Sequence, residues 1–398
     1  MPLRGHFNRL SPIIAGLVRL GRHVDVFTHR AFEAEVCRYG ASFHDLFSEL
    51  TVEEADATSI PTASRYVSFA GIYSPRLLAV LSRARPRLIV YDSFAVIGFV
   101  VARLLDVPSV CVCAGHNRIG PRAVAERMRT GPVHISTVCD MAVNRLHQLG
   151  LTEITPFSYL DSASPYLNVY CEPPSFLKPC EREPFEPIAF YGSVEPTLAS
   201  RRSADGHPSW RKARNGRLRV YVSFGTAVWQ IRPRAAEQAL RVVADALTEL
   251  TSCDTLVSLG VSQQGALLDD HHRSGSVHVE PYVDQWNVLG DTDLFVTHQG
   301  LNSTHEAIFH CVPMIAHPFF GDQPALAKRC AEMGLSIPLS DLSFGTVPIS
   351  EVRAVLEAAI DQSRTPAWSQ RRAAARASEI EAMKNRPYVL EQISSIAQ

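Results

Sequence analysis

The chain has 398 residues, 46% of them hydrophobic and 20% charged, with a formal net charge of −1. That balance suits a globular protein with room for two domains and a core in each, and it excludes the basic footprint of a nucleic-acid or anionic-membrane binder. The nine cysteines lack zinc-like paired spacing. Only Cys111 and Cys113 are close, on one face of a strand, so the set reads as buried free thiols in a reducing cytoplasm. No secretory signal is visible, and the most apolar stretch, Phe94 to Ala102, is about half a membrane span. The composition therefore predicts a cytoplasmic protein with no integral membrane segment, and nothing in it specifies an oligomeric state.

In chain order, Leu10, Ile13, Ile14, Leu17 and Val18 form a helical stripe that ends near Gly21 and predicts a first helix from about Leu10. His23 to Thr28 reads as a strand. Leu88 to Tyr91 is a short buried strand ending at Asp92, a helical stretch runs to about Leu105, and Pro108 to Val112 is the next strand. Such alternation argues a parallel sheet with helices on both faces. Prolines crowd Pro156 to Pro187, and the polar, basic run from Pro196 to Gly216 reads as an interdomain linker. The pattern restarts at Leu218 to Thr226, with a helix from about Arg234 to Leu250. Further strands are predicted at Thr255 to Leu259, Val277 to Glu280, Leu294 to Thr297 and Pro313 to Ala316. Two α/β domains in tandem follow. One feature departs from that plan. The first strand of a doubly wound domain is central, yet only Met1 to Arg4 precede Gly5-His6. We therefore expect a truncated or misassigned start, because losing a central strand would expose apolar area worth many kcal/mol.

The strand Leu294 to Thr297 leads into His298-Gln299-Gly300-Leu301-Asn302-Ser303-Thr304-His305-Glu306. A sharp turn at Gly300 and a helix from Ser303 would gather backbone N–H groups and the positive helix end in one place, which favours a phosphate or diphosphate. His298, Asn302 and Ser303 add side-chain donors. Ser303-x-x-Glu306 is also a capping box, which explains both residues without a ligand.

With its surroundings, this stretch resembles the inverting UDP-glycosyltransferases of GT-B fold, which glycosylate macrolides, flavonoids and other natural products. The likeness covers nearly the whole chain and is strongest from Tyr282 to Gln323. It rests on Tyr282-Val283-Asp284-Gln285, His298 to Glu306, Val312-Pro313-Met314 and Phe319-Phe320-Gly321-Asp322-Gln323. It implies two tandem Rossmann-like doubly wound parallel-sheet domains with the active site in the interdomain cleft. Residues 1–200 would bind the acceptor, with the first strand missing or truncated, and residues 217–375 the nucleotide-sugar donor. Residues 376–398 would form a helix packing back on the first domain through Tyr388, Leu390, Ile393 and Ile396.

The resemblance also implies roles. Tyr282 would stack on the nucleobase and Gln285 hold the base or ribose. His298, Asn302 and Ser303, beyond the turn at Gly300, would bind the diphosphate, and Glu306 the ribose hydroxyls. Asp322 and Gln323 would hold the sugar, and Thr226 would lie on a second phosphate-side loop. Relatives have tryptophan at Tyr282, proline at Asp284 and a small residue or cysteine at Gln299, which is expected to narrow the pocket here. Gly5-His6-Phe7-Asn8 resembles the acceptor-side loop with its catalytic histidine, although relatives have proline at Arg9. Asp92 matches an aspartate after the fourth strand. Topology supports the pairing independently, since strands one and four are neighbours and ligands bind beyond their carboxyl ends.

The chemistry implied is transfer of a sugar from a UDP- or dTDP-linked donor to a hydroxyl of a small-molecule acceptor, with inversion. His6 would be the general base and Asp92 would orient it. No metal or other cofactor is expected. Asp269-Asp270-His271-His272 lacks the spacing of a metal site. Gly115 to Leu160 would line the acceptor pocket. Two other readings stand beside this one: a sugar-nucleotide epimerase of the same fold, and a catalytically silent nucleotide-sugar-binding partner.

Overall fold

The computed structural model describes residues 3–116, 133–193, 216–250, 252–260, 277–339 and 348–397. The chain divides into two units, Met1–Gly192 with Lys384–Gln398, and Ser193–Met383. Most of the expected linker and the Asp269 to His272 run lie outside the described residues. So do residues 117–132 of the expected acceptor stretch. No described helix is long and apolar enough to cross a membrane.

The amino-terminal unit opens with helix α1 (Arg4–Arg19), then strands β1 (Asp25–Thr28) and β2 (Ser42–Asp45). There follow α2 (Arg65–Ala84), β3 (Ile89–Asp92), α3 (Val96–Leu105), β4 (Ser109–Cys113), α4 (Thr137–Gln148), β5 (Leu167–Tyr170) and β6 (Ile188–Phe190). All pairings are parallel, but the strands fall into two sheets, β1–β2 and β3–β4–β5–β6. The first helix starts six residues earlier than its stripe suggests. Phe7 is buried and already belongs to that stripe. His6 therefore sits in the first helical turn rather than in a loop. Pro12 lies inside α1 and cannot donate to the Asn8 carbonyl; the Ser11 hydroxyl donates to it instead, at 3.3 Å.

The carboxyl-terminal unit runs β7 (Leu218–Ser223), α5 (Gly225–Ile231), α6 (Pro233–Glu249), β8 (Cys253–Ser258), β9 (Val277–Glu280), α7 (Gln285–Leu289) and β10 (Leu294–Thr297). It continues with α8 (Leu301–Phe309), β11 (Met314–Ala316), α9 (Gln323–Glu332), β12 (Ser336–Pro338), α10 (Ile349–Ser363) and α11 (Pro366–Lys384). Its six strands are all parallel in the order β12–β11–β10–β7–β8–β9. This is the doubly wound arrangement, with its switch point between β7 and β10. Helices cover both faces, so β7, β8 and β10 are buried almost end to end rather than at alternate residues.

Two expectations need correction. Of the nine free thiols, Cys37 and Cys180 are exposed and Cys311 is partly so; Cys37 belongs to a short helix in which only Val36 is buried. At the carboxyl end, α11 stops at Lys384 and α12 (Arg386–Ile396) starts afresh with Pro387 in its first turn. Leu390, Ile393 and Ile396 pack as expected, but Val389 takes the place assigned to Tyr388. Val389, Leu390 and Ile393 are buried, while Tyr388 is 63% exposed. The helix lies on α1, where Gly16 leaves the space that Leu390 fills; a Cβ there would meet Leu390 at 2.4 Å. Arg22 donates to the Ser394 hydroxyl at 2.7 Å, and Arg386 to the Tyr191 carbonyl at 2.9 Å. We expect Ile393→Ala to cost about 3 kcal/mol in denaturant unfolding of the amino-terminal unit, as for other buried truncations. A loss below about 0.5 kcal/mol would show that α12 is not part of that core.

Candidate functional site

In the carboxyl-terminal unit the loops after β7 and β10 leave neighbouring strands at the switch point. His298 follows β10 and is buried between two glycines. A Cβ on Gly225 would lie 2.6 Å from the imidazole, and one on Gly300 would lie 2.2 Å from it. Any side chain at either place displaces the ring. Burial pulls the His298 pKa down to about 4, partly countered by the Ser223 backbone, so the ring is neutral. Its Nδ1 finds no partner among the described residues.

The sharp turn is made by Gln299, at φ +59°, and not by Gly300, whose backbone is extended. A non-glycine residue held there stores on the order of 1 kcal/mol of strain. The cause is visible: the Gln299 side chain is wholly buried, donating to the Thr304 hydroxyl at 3.0 Å and lying against the sulfurs of Met314 and Cys330. It therefore anchors the loop to the interior and does not narrow a pocket.

Helix α8 begins at Leu301, with Gly300 as its N-cap and no side-chain cap. The capping box does not form, because Ser303 is already the third helical residue. Its hydroxyl instead accepts from the Gln285 amide at 3.2 Å, and the same amide donates to Glu306 at 2.6 Å. Gln285, Ser303 and Glu306 thus form one set. The leading N–H groups of α8, at Leu301, Asn302 and Ser303, have no intrahelical acceptor, because Thr304 is the first to bond back, to Gly300. Asn302 is half-buried beside them.

The remaining positions are placed as follows. Tyr282 is 66% exposed, a ring presented to solvent. Asp284 caps α7 by accepting from the Asn287 backbone, which accounts for its presence ahead of Gln285. Thr226 is half-buried in the first turn of α5. Asp322 is half-buried at the start of α9. Gln323 is buried, its Oε1 accepting from the backbones of Phe319 and Phe320 at 2.8 and 3.2 Å. Only its NH2 group is left to meet a ligand.

Two further residues carry no motif. His317 ends β11 as His298 ends β10, and its backbone donates to Thr297 at 2.8 Å. It packs edge-on to Phe319, burial holds its pKa down to about 4, and its Nδ1 is unpartnered among the described residues. Its position directly after a buried strand was the available signal. His305 of α8 is wholly buried, its Nδ1 hydrogen-bonded to the Glu379 carboxylate of α11, which fixes the helix from its inner side. Their 74-residue separation left no local pattern.

In the amino-terminal unit, His6 Nδ1 lies 2.8 Å from Asp92 Oδ2, although the residues are 86 positions apart. Asp92 ends β3 and is 1% exposed; its other oxygen accepts from the Phe94 backbone at 2.8 Å. Both carboxylate oxygens are thus engaged, and Phe94 packs on the imidazole at 4.7 Å between centroids. With Nδ1 donating to the carboxylate, Nε2 is the acceptor nitrogen.

The chain matches the UDP-glucoronosyl and UDP-glucosyl transferase family over residues 205–365. It is similar to the NDP-glycosyltransferase YjiC of Bacillus licheniformis, with 24% identity over 84% of this chain and 82% of the relative. Among solved structures, the glycotransferase of kitacinnamycin superposes with a TM-score of 0.75 at 22% identity, covering 98% of this chain and 97% of that one. The spinosyn rhamnosyltransferase SpnG, complexed with thymidine diphosphate, superposes with a TM-score of 0.68 at 19% identity, each chain being covered to 98%. These likenesses establish the GT-B fold.

The buried histidines make stability depend on acidity. His298, His310 and His317 titrate near 6.5 when unfolded, and burial lowers each to about 4 in the fold, with Arg376 adding to the effect at His310. Between those values the unfolded chain binds more protons, so stability rises with pH. Their contribution is complete above about 6.5 and is lost as pH falls toward 4. We expect the melting temperature to fall through this window, with a shallower slope for His317→Phe. An unchanged slope in that variant would contradict the neutral, buried assignment.

Proposed function

Since the chain is a glycosyltransferase carrying a domain of the UDP-glycosyltransferase family, we propose that it moves a sugar from a UDP- or dTDP-linked donor to a hydroxyl of a small natural-product acceptor, with inversion at the anomeric carbon. The observation that carries this reading is the His6–Asp92 pair. His6 Nε2 takes the proton of the acceptor hydroxyl as its oxygen attacks the anomeric carbon. The bond from that carbon to the diphosphate breaks on the opposite face, and its electron pair leaves with the diphosphate. The proton stays on His6, where buried Asp92 stabilises the imidazolium and holds the ring's orientation.

The leaving diphosphate gains charge during the step. The leading N–H groups of α8 and the Ser303 hydroxyl are suited to receive it, without reorganising at the moment of reaction, and the buried His298 ring fixes the loop that leads to them. Tyr282 offers its exposed face to the nucleobase. Glu306, held by the Gln285 amide, is an acceptor suited to ribose hydroxyls. Asp322 and the Gln323 NH2 group serve the sugar. The step uses no metal, because the helix end and these donors take the place of a cation. Both nucleotides are carried forward because the family is named for UDP sugars and SpnG was solved with thymidine diphosphate.

The test is kinetic. We expect His6→Ala to lower kcat at least about a hundredfold, with nucleotide affinity unchanged, and Asp92→Asn to lower kcat by a similar factor. The product of the wild-type chain should carry the anomeric configuration opposite to its donor. Undiminished transfer by His6→Ala would remove the base assignment. Tight nucleotide binding with no transfer to any acceptor would favour the silent-partner reading.

A further inference from the structure

Aromatic rings wall the space beside His6 and Asp92. The Phe94 ring lies 4.7 Å from that of His6 and 6.3 Å from that of Tyr66, between centroids, and Tyr159 meets it edge-on at 5.4 Å. Tyr159 is buried, so its part is to hold Phe94 in place. Phe94 and Tyr66 are only half-buried, although both pack on the apolar cluster of this unit. Their planes are inclined at 45°, which leaves an open corner of two rings next to His6.

A carboxylate stands by this corner. Tyr66 comes from the first turn of α2, and a short helix, Val52–Ala55, packs against α2. Val52 and Ala55 are buried in the core, so Glu53 and Glu54 face outward and are exposed. Glu54 is held in a capping box with Thr51. Glu53 has no hydrogen bond or ion pair among the described residues. Its charge still reaches the ring: burial first, then Glu53, then Asp92 push the Tyr66 phenol well above its ordinary value. The hydroxyl end of Tyr66 is therefore near both carboxylates. Other carboxylates of this region are engaged. Asp92 is held by His6 and the Phe94 backbone, Asp56 by Ser59 and Ser68, Asp45 by Arg30 and Asp161 by Ser158.

Two ring faces beside a carboxylate that lacks a counter-ion suit one kind of group. An alkylammonium meets the negative ring faces and the Glu53 charge together, and it stays protonated at neutral pH. An anion would be repelled by Glu53 and Asp92. A neutral apolar group would cover the rings and leave Glu53 unmatched.

We propose that Glu53, Tyr66 and Phe94 form an ammonium subsite, and that the acceptor carries a protonated amine one aromatic ring beyond the hydroxyl that His6 deprotonates. Phe94 touches both His6 and Tyr66, which sets that spacing. The inference rests on the glycosyl-transfer reading, since it takes the occupant to be the acceptor. Glu53, Tyr66 and Phe94 all precede the Gly115 to Leu160 stretch from which the acceptor pocket was expected. The amine serves binding and orientation, and no proton moves to or from it during transfer.

Three phenols that differ in side-chain charge test it: tyramine, N-acetyltyramine and phloretate, which are cationic, neutral and anionic. Binding to the intact chain is read by ligand-observed NMR without nucleotide, and transfer is measured with UDP-glucose and dTDP-glucose. We expect Kd and KM for tyramine to lie at least about tenfold below those for N-acetyltyramine, with phloretate weakest. Glu53→Gln and Tyr66→Leu should each reduce the preference for tyramine to less than about twofold. Tyr66→Phe, which keeps the ring face, and Glu54→Gln, which removes a charge from the same short helix, should keep it. Equal affinity for tyramine and N-acetyltyramine, or no binding of either, would overturn the proposal. So would an equal loss of preference in Glu53→Gln and Glu54→Gln, which would mark a diffuse surface charge. The two readings fail separately. Selective, Glu53-dependent binding of tyramine with no transfer to any phenol would overturn glycosyl transfer and leave the subsite. Transfer to all three phenols at equal KM would overturn the subsite and leave glycosyl transfer.

Discussion

Parallel strands all end at the same edge of a sheet, and at the switch point the chain leaves two neighbouring strands toward opposite faces. In the carboxyl-terminal unit those strands are β7 and β10, and everything proposed for the nucleotide rests on how tightly their two loops close around one imidazole. Gly225 and Gly300 both approach His298 more closely than any Cβ would allow. The ring is thereby fixed, dry and neutral. A helix start held still beside such a ring meets an anion with N–H groups already in place.

The same constraint explains the backbone around it. Gln299 takes the left-handed conformation that a glycine would take more cheaply, and its buried amide holds the loop to Thr304 and to the sulfurs behind. From the inner side, the His305–Glu379 pair ties α8 to α11. From the outer side, Gln285 binds Ser303 and Glu306 together. Helix α8 is thus gripped on two flanks, leaving its amino end as the presenting surface. A rigid mount of this kind matters more for a leaving group than for a substrate, because the developing charge must find its donors already in place.

Much of this was legible in the sequence because both faces of each sheet are covered. Full cover turns strands such as Leu294–Thr297 into unbroken apolar runs that stand out from their flanks. The meeting of His6 with Asp92 was expected from the family resemblance, with strand order in support. Single-residue conformations were not. Periodicity says nothing of φ at Gln299, and a capping-box pattern at Ser303 is indistinguishable from a helix that starts two residues earlier. The start of α1 was obscured because Arg4, Gly5 and His6 precede its apolar stripe. Tyr388 lies about 200° round its helix from Leu390, off the face that Leu390 and Ile393 share, so near-helical spacing alone misplaced it. Long-range buried pairs such as His305–Glu379 leave no local trace at all.

The central claim is that the loops after β7 and β10 form a nucleoside-diphosphate site without a metal. Calorimetric titration of the purified chain with UDP and dTDP, in the absence of divalent cations and with AMP as a control, tests it most directly. Saturable one-to-one binding of UDP or dTDP, absent with AMP and lost in Gly300→Ala, is the predicted result. No binding of either diphosphate to a chain that remains folded would contradict the account.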